Sequence, residues 1–393
     1  MGRLKLALVA FVVIGAGAAT GLVQDVCGPF TDVSPALCPY VLEMYYLGIT
    51  AGTSPTTYSP EATVTRGQAA VFVSKGVNQA IARSSRRAAL GQWWTPSFTT
   101  WLNGLATTTL PDAYLGPLVC DGSDVWVGGQ TAVFRVRASD GKLLDTWTVP
   151  NPFRLIAAMG RIFVAGGTSP TDVSIFMIDP ASPPGPAAAV AALPSPAWGL
   201  SFDGGRLWTV NLDGSVSIIT PASSVPWAVT TIALGLKAAG GILFDGKNTW
   251  VSDAFPCSLS KLNDAGGIVQ TVDLGPDNCV PSAPAFDGSN ILVPAGDSLK
   301  AVRVSDGTLA ATIPVGTGAA QLAFDGERLL VESDAGGQNA PRGLTLLRAA
   351  DFGTLQIEGF PPIGGPSINA MAADGVNFWL TFNSGSETVL ARY

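Results

Sequence analysis

The sequence predicts a mainly β protein: a seven-bladed β-propeller preceded by a small α-helical module. Across residues 105–393 a short pattern recurs seven times, in which a small or apolar residue is followed by a glycine turn and a strand opening on a bulky apolar residue. Consecutive opening residues are 37 to 49 positions apart. Strand-rich repeats of roughly 40–50 residues are typical of propeller blades. The opening residues are Trp126, Phe163, Trp208, Trp250, Leu292, Leu330 and Trp379.

Each repeat is predicted to hold four strands, but the last one supplies only three before Tyr393. Residues 107–110 precede the first repeat at nearly the distance by which an outer strand precedes the next blade. We therefore expect this segment to complete the blade that contains Trp379. Closing the ring in this way hides sheet edges that would otherwise invite aggregation.

Six repeats carry an Asp-Gly pair between the first and second strands, where a two-residue hairpin favours it. Their recurrence indicates turn formation, and not six catalytic carboxylates. The six residues are Asp121, Asp203, Asp245, Asp287, Asp325 and Asp374.

The first residues predict export. Arg3 and Lys5 precede a short apolar run and a small-residue cleavage site, so residues 1–20 are predicted to be a signal peptide. The run is about 14 residues, short of the roughly 20 needed to span a bilayer. An uncleaved anchor is the alternative, and no later segment is predicted to cross a membrane. The net charge of −7 excludes the basic footprint of a nucleic-acid-binding protein.

Residues 27–80 form a separate predicted module, followed by a predicted linker over residues 81–104. Four submotifs occur in order around two predicted helices: FTDV (30–33), GITAG (48–52), YSPE (58–61) and VTRGQ (64–68). This order resembles the S-layer homology (SLH) domain, present here as one repeat. The family attaches exported bacterial proteins to the wall. The resemblance therefore implies a cell-envelope location and a cell-wall polysaccharide or peptidoglycan partner.

By this resemblance, Asp32, Gly52 and Arg66 match positions associated with the fold and with wall-ligand contact. A guanidinium offers a planar fork of donors that suits a carboxylated or pyruvylated sugar. The family's Thr-Arg-Ala-Glu is here Thr-Arg-Gly-Gln, at residues 65–68. Independently of the family, Thr65 and Gln68 are predicted to form a helix capping box.

Five cysteines in an exported chain suggest disulfides. Cys257 and Cys279 fall in two loops that share a face of blade four, so they are expected to pair. Cys27 and Cys38 are expected to staple the small module. Cys120 stands where four other repeats have Phe and is predicted to be a buried thiol.

The chain contains no histidine, which removes Ser-His-Asp and Cys-His catalysis and the commonest zinc ligand. The repeats are similar to the NHL, YVTN and virginiamycin-lyase-like propellers. Lyases of that group rely on a histidine, so no catalytic residue carries over, and no cofactor is predicted.

Loops joining outer to inner strands share a face with loops joining second to third strands, and this face is the predicted binding surface. A carboxylate pair such as Asp253 and Asp277 would serve a hydrolase or hold calcium, against the alternative of solvated loop charges. The candidates on this face are Asp112, Tyr114, Phe153, Arg154, Trp198, Lys237, Asp253, Phe255, Asp277 and Asp334.

Trp198 begins the inner strand of blade three, where the aligned repeats have small residues or Asn369. An indole at the channel mouth either plugs the channel or lines it as a stacking platform flanked by Phe153 and Arg154.

Together these features predict an exported cell-envelope protein that attaches to the wall and binds a ligand or protein partner through its propeller face. The alternative is an extracellular enzyme acting on glycan or peptide through loop carboxylates.

Overall fold

The computed structural model describes residues 27, 29–34, 37–46, 49–76, 106–276, 279–334, 342–359, 367–384 and 387–393. The predicted signal peptide and the whole of the predicted linker lie outside these residues. The chain divides into two compact units, Met1–Arg83 and Ser84–Tyr393. Among the described residues, no helix has both the length and the apolar character needed to cross a bilayer.

The first unit is a small helical module. Helix α1 spans Cys38–Tyr46, and residues 66–76 form a second helical segment. Its core is built around the fully buried Phe30, which contacts Val33 and Val41 and meets the Tyr45 ring edge-on at 5.3 Å. The predicted disulfide between Cys27 and Cys38 is present and ties the start of the module to α1.

The second unit contains seven four-stranded antiparallel sheets, which confirms the predicted seven-bladed propeller. The chain enters it through β1 (Ala106–Thr109). Blade 1 consists of β2 (Leu118–Cys120), β3 (Asp124–Gly128), β4 (Ala132–Arg137) and β5 (Leu143–Thr148). Blade 2 consists of β6 (Arg154–Ala158), β7 (Arg161–Ser169), β8 (Asp172–Ile178) and β9 (Ala188–Leu193). Blade 3 consists of β10 (Ala197–Phe202), β11 (Leu207–Asn211), β12 (Ser215–Thr220) and β13 (Ala228–Ala233).

The remaining blades repeat this order from the inner strand outwards. Blade 4 consists of β14 (Ala239–Phe244), β15 (Thr249–Ala254), β16 (Cys257–Leu262) and β17 (Ile268–Asp273). Blade 5 consists of β18 (Ala285–Phe286), β19 (Asn290–Ala295), β20 (Ser298–Arg303) and β21 (Leu309–Pro314). Blade 6 consists of β22 (Leu322–Phe324), β23 (Arg328–Asp334), β24 (Arg342–Arg348) and β25 (Thr354–Gly359). Blade 7 consists of β26 (Ser367–Ala373), β27 (Phe378–Ser384), β28 (Glu387–Arg392) and β1.

The ring closes where the sequence predicts. Strand β1 pairs antiparallel with β28, with Thr108 opposite Leu390. Leu110 follows β1 and packs with Trp379 and Leu390 against residues of blade 1. The Thr381 hydroxyl donates to the Gly116 carbonyl at 2.9 Å, which adds a polar link between the last and first blades.

The second strands β3, β11 and β15 are buried along their whole length, because blades pack against them from both sides. Core layers accordingly lie between blades. Trp126 and Val133 of blade 1, for example, pack with Ile162 and Val164 of blade 2.

Each of the six Asp-Gly sites has the same turn geometry. In blade 4 the Asp245 N–H donates to the Asn248 carbonyl, so Gly246 and Lys247 are the central residues, and Gly246 has a φ of +95°. The aspartate therefore flanks the turn. The sequence-based prediction places it in the turn, as the first of the two central residues. Its Oδ1 accepts the two N–H groups that follow the glycine. The same pair of bonds recurs in all six turns.

In four blades the second carboxylate oxygen accepts the indole N–H of the buried tryptophan that opens the second strand. These bonds are 2.7–2.9 Å long and join Asp121 to Trp126, Asp203 to Trp208, Asp245 to Trp250 and Asp374 to Trp379. Burial alone raises the pKa of Asp245, but hydrogen bonds from Trp250, Asn248 and Lys247 outweigh it and hold the pKa below its ordinary 3.8.

The predicted disulfide between Cys257 and Cys279 is also present. Cys120 takes part in neither disulfide and is half-buried, so the prediction of a buried thiol is wrong. It accepts a hydrogen bond from the Gly122 N–H at 3.4 Å, because the first turn begins immediately after it.

We predict that Leu110→Ala lowers the free energy of unfolding by about 2–5 kcal/mol, because Leu110 is only 2% exposed and its loss leaves a cavity at the closure. Urea unfolding measures this. Leu355→Ala, at an exposed outer-strand position, is the matched control and should change stability by about 0.5 kcal/mol or less. Equal effects of the two changes would contradict closure through β1.

We also predict that acid selectively removes the contribution of Asp245. Its folded-state pKa lies below the unfolded value of 3.8, so its stabilisation is complete above that pH and is lost as the pH falls through the folded-state value. Asp245→Asn should therefore be less stable than the wild type at pH 7, and this difference should shrink between about pH 4 and pH 2. Urea unfolding at each pH measures it, with the exposed Asp264→Asn as control. A difference that stays constant with pH would refute the prediction.

Candidate functional site

A cavity of about 800 Å³ opens at the end of the propeller predicted to bind. Four consecutive blades contribute the residue aligned with the start of their inner strand: Trp198, Gly240, Ser282 and Ala320. Most of the remaining lining is small and apolar, including Ala238, Ala239, Ala254, Gly318 and Ala319. The cavity is therefore a funnel with one aromatic wall.

Close approach between blades explains why blade 4 has glycine at this position. A Cβ on Gly240 would collide with the Pro281 carbonyl oxygen and the Ser252 hydroxyl. Asn369, the aligned residue of blade 7, instead donates from Nδ2 to the Leu115 carbonyl at 2.6 Å.

Trp198 is 47% exposed and borders the cavity, which favours the lining alternative over the plug. The pairing of β10 with β11 shifts register between Ala197 and Gly199, which marks Trp198 as a bulge residue. A bulge re-aims a side chain, and here it accompanies an indole that lies partly in solvent.

Arg154, the first residue of β6, holds this indole in place. Its guanidinium carbon lies 5.1 Å from the centre of the Trp198 ring, and its Nε donates to the Trp198 carbonyl at 2.5 Å. Its Nη1 donates to the Phe153 carbonyl at 2.6 Å. The Phe153 side chain is half-buried against the core between blades 2 and 3.

Three further candidates on this face are exposed: Tyr114, Phe255 and Lys237. The Tyr114 ring lies close to Gly116: a Cβ on that glycine would stand only 2.9 Å from Tyr114 Cε1. Burial lowers the pKa of the Arg154 guanidinium, and the nearby Tyr114 phenol opposes this change.

The two described carboxylates among the candidates are engaged with backbone. Asp253 is only 4% exposed, and its Oδ1 accepts the Ala238 N–H at 2.8 Å. Asp112 accepts N–H groups from Tyr114 and Gln130. Both side chains organise loops, so neither is a solvated loop charge.

Asp277 lies outside the described residues, and Asp334 ends β23. The proposed pairing of Asp253 with Asp277, the calcium site and the carboxylate-based hydrolase therefore stay predictions. Among the described residues, no group of three His, Cys, Asp or Glu side chains is arranged to hold a metal ion.

Sequence reasoning missed two exposed apolar residues of the cavity, Leu212 and Val280. Leu212 lies in the hairpin between β11 and β12, and Val280 lies in the connection between blades 4 and 5. Both loops belong to the predicted face. An apolar residue in a polar loop was the available signal.

In the helical module, Asp32 and Gly52 support the fold. The Asp32 carboxylate accepts the Tyr58 and Ser59 N–H groups at 2.8 and 2.7 Å, and the bond from Tyr58 contributes most to lowering its pKa. Gly52 has a φ of +80°, and a Cβ there would meet Phe30 Cε1 and the Thr57 carbonyl oxygen. Both residues fix the loop that follows α1.

The second helix of the module begins with the predicted capping box. The Thr65 N–H donates to Gln68 Oε1 at 2.9 Å, and the Gln68 N–H donates to Thr65 Oγ1 at 3.2 Å. Arg66 is exposed beside this cap. A groove of about 610 Å³ runs along the module, with hydroxyl-bearing residues in its lining: Thr50, Thr53, Tyr58, Ser59, Thr63 and Thr65.

Comparison with known proteins supports the prediction of a small SLH-like module followed by a β-propeller. Residues 29–70 match the model of the S-layer homology domain. No curated protein matches the chain. A solved structure, the WD40 beta propeller domain of Doa1, is similar with a TM-score of 0.54 and 12% identity, covering 73% of this chain and 96% of that chain. At this identity the likeness shows the fold alone, and the resemblance to NHL-type propellers stays a prediction.

We predict that Trp198→Ala changes the free energy of unfolding by about 1 kcal/mol or less, because the indole is partly solvated. Trp208→Ala in the same blade is the matched comparison. That tryptophan is 1% exposed, so its loss should cost about 3–5 kcal/mol. Chemical unfolding of both variants measures this. A large loss with Trp198→Ala would show that the residue serves packing.

Proposed function

We propose that this is an exported protein of the bacterial cell envelope, which attaches to a cell-wall polymer through residues 27–80 and presents the mouth of its propeller as a binding face. The observation that carries the wall attachment is the match of residues 29–70 to the S-layer homology domain. The two disulfides support an oxidising compartment, because such bonds are rare in cytosolic proteins.

The folded module suits this role. Its core is built on Phe30, and its groove has several hydroxyl groups among largely apolar lining residues; the exposed Arg66 is adjacent in sequence to two of the lining residues, Thr65 and Gly67. Hydroxyls donate and accept hydrogen bonds, as a polysaccharide ligand requires. Arg66 would add a bidentate contact to an acidic substituent.

The propeller face suits ligand binding through its shape. Binding sites are typically concave and largely apolar, with a few placed polar groups, and the funnel beside Trp198 has this character. Its exposed aromatic and cationic side chains provide the contacts.

We predict that Arg66→Ala reduces sedimentation of the mature protein with purified cell walls more strongly than Gln68→Ala does. The reason is that Arg66 is exposed for contact, whereas the Gln68 side chain is engaged in the helix cap. The measurement is the fraction of protein that pellets with the walls across a concentration series. Protein lacking residues 27–80 provides the baseline.

Melting temperatures of both variants must be recorded alongside, because loss of the cap in Gln68→Ala should cost about 1 kcal/mol of helix stability. If the wild type and Arg66→Ala are retained equally on the walls, this arginine does not contact the wall ligand. Equal retention of the full chain and the truncated protein would overturn wall attachment itself.

A further inference from the structure

Among the side chains that the structure describes, the Arg154 guanidinium forms no ion pair with a carboxylate. The carbonyls of Phe153 and Trp198 accept two of its N–H bonds, and the Trp198 ring stacks against it. None of the ion pairs formed among the described side chains includes Arg154. By contrast, Arg135, Arg161, Arg206, Arg328 and Arg348 each pair with an aspartate.

This cation is also partly desolvated and held rigidly. Arg154 is half-buried, and its Nε and Nη1 groups are each bonded to a backbone carbonyl. A guanidinium has more N–H donors than these two bonds use, so donors remain for an incoming acceptor. A partly desolvated, pre-organised cation binds an anion more strongly than a mobile surface lysine does, because less solvent and less entropy are lost.

The neighbouring surface is aromatic. Trp198 exposes nearly half of its surface at the funnel, and Tyr114 is exposed on the side of blade 1. An indole face complements the apolar C–H face of a pyranose ring, whereas the guanidinium complements a carboxylate at the ring's edge.

We propose that Arg154 and Trp198 form a subsite for a sugar ring that carries a carboxylate, with the indole stacking on the ring and the guanidinium pairing with the carboxylate. This deepens the proposed binding role of the propeller face. It does not require wall attachment, because the subsite would take a soluble saccharide.

A peptide is the weaker fit. An extended peptide that adds to a sheet needs an exposed strand edge. At this mouth the inner strand β10 is the edge of its sheet, but the inner strands β6 and β14 of the neighbouring blades pack beside it and crowd the place where an added strand would pair.

The experiment is isothermal titration of the mature full-length protein with tetragalacturonate and with its neutral, carboxyl-reduced counterpart. We expect the wild type to bind the uronate about tenfold or more tightly than the neutral sugar, the ratio expected of one charge-assisted pair. Added salt should reduce this preference, because it screens the ion pair. Trialanine, with a free carboxylate but no sugar ring, should bind weakly.

Arg154→Gln should abolish the preference for the uronate while neutral-sugar binding persists, and Arg154→Lys should retain part of it. Trp198→Ala should weaken both sugars. Arg161→Gln is the matched control: this arginine begins β7 at the other end of the same blade and is paired with Asp179 at 3.0 Å. It should leave both affinities unchanged.

The ratio of the two affinities separates a ligand contact from a structural role, because general destabilisation would weaken both sugars equally. The proposal is overturned if the wild type binds neither sugar, if it binds them equally, if Arg154→Gln keeps the preference, or if trialanine binds as tightly as the uronate. Wall sedimentation tests residues 27–80 separately, so the two ideas fail independently.

Discussion

The hydrogen bond between a turn aspartate and a buried tryptophan organises the propeller. One carboxylate oxygen accepts two backbone N–H groups in the turn of the blade's first hairpin. In four blades the other oxygen accepts the indole N–H of the tryptophan that opens the second strand. An indole buried without an acceptor would leave an unsatisfied donor in the core. The bond therefore lets the largest apolar side chain fill the space between blades. In blade 3 the same aspartate also pairs with Arg206, whose guanidinium donates to the Asp264 carbonyl of blade 4. Turn, core and blade contact thus depend on one carboxylate.

The Asp-Gly turns with these bonds lie at one end of each blade, and the inner strands begin at the opposite end. The starts of the inner strands approach one another around the channel there, and small residues such as Gly240 and Ala320 permit this close approach. Most charged groups of the blades are used in turns and ion pairs. The Asp253 carboxylate, at the end of the propeller where the cavity opens, is likewise bonded to backbone N–H groups. What remains exposed at this end is the lining of the funnel, which includes Lys237 and Asp297 as well as the Trp198 indole, with Arg154 beside it.

Much of the fold follows from the sequence, because a propeller repeats its local chemistry. Seven recurrences of a glycine turn before a bulky strand residue fix the blade count, and the missing fourth strand predicts closure by β1. Alignment also places Trp198 at the channel mouth. Its exposure was not predictable, because it depends on a bulge and on Arg154, which lies in another blade. Asp253 gives the same lesson: the sequence predicts it in a loop, but it lies in β15, and its carboxylate is buried because the N–H groups of Lys237 and Ala238 converge on it. Cys120 occupies a position that is Phe in four other blades, and those Phe residues are half-buried as well, so the position beside the turn is itself only partly buried.

The position of Arg154 distinguishes it from the other arginines. Those on the turn side, such as Arg206 and Arg328, pair with the aspartates that the turns already require, so their charge is neutralised by the fold itself. Arg154 lies at the end of the blade where no Asp-Gly turn occurs, and it stacks on Trp198, which is aligned with Gly116, Gly240, Ser282, Ala320 and Asn369 of five other blades. Stability alone does not favour a half-buried cation without a carboxylate, because desolvation is only partly offset by two carbonyls and a ring. The two carbonyl bonds of Arg154 and its stacking hold the Trp198 indole beside the cavity, and the anionic ligand proposed above would supply the countercharge that these contacts lack.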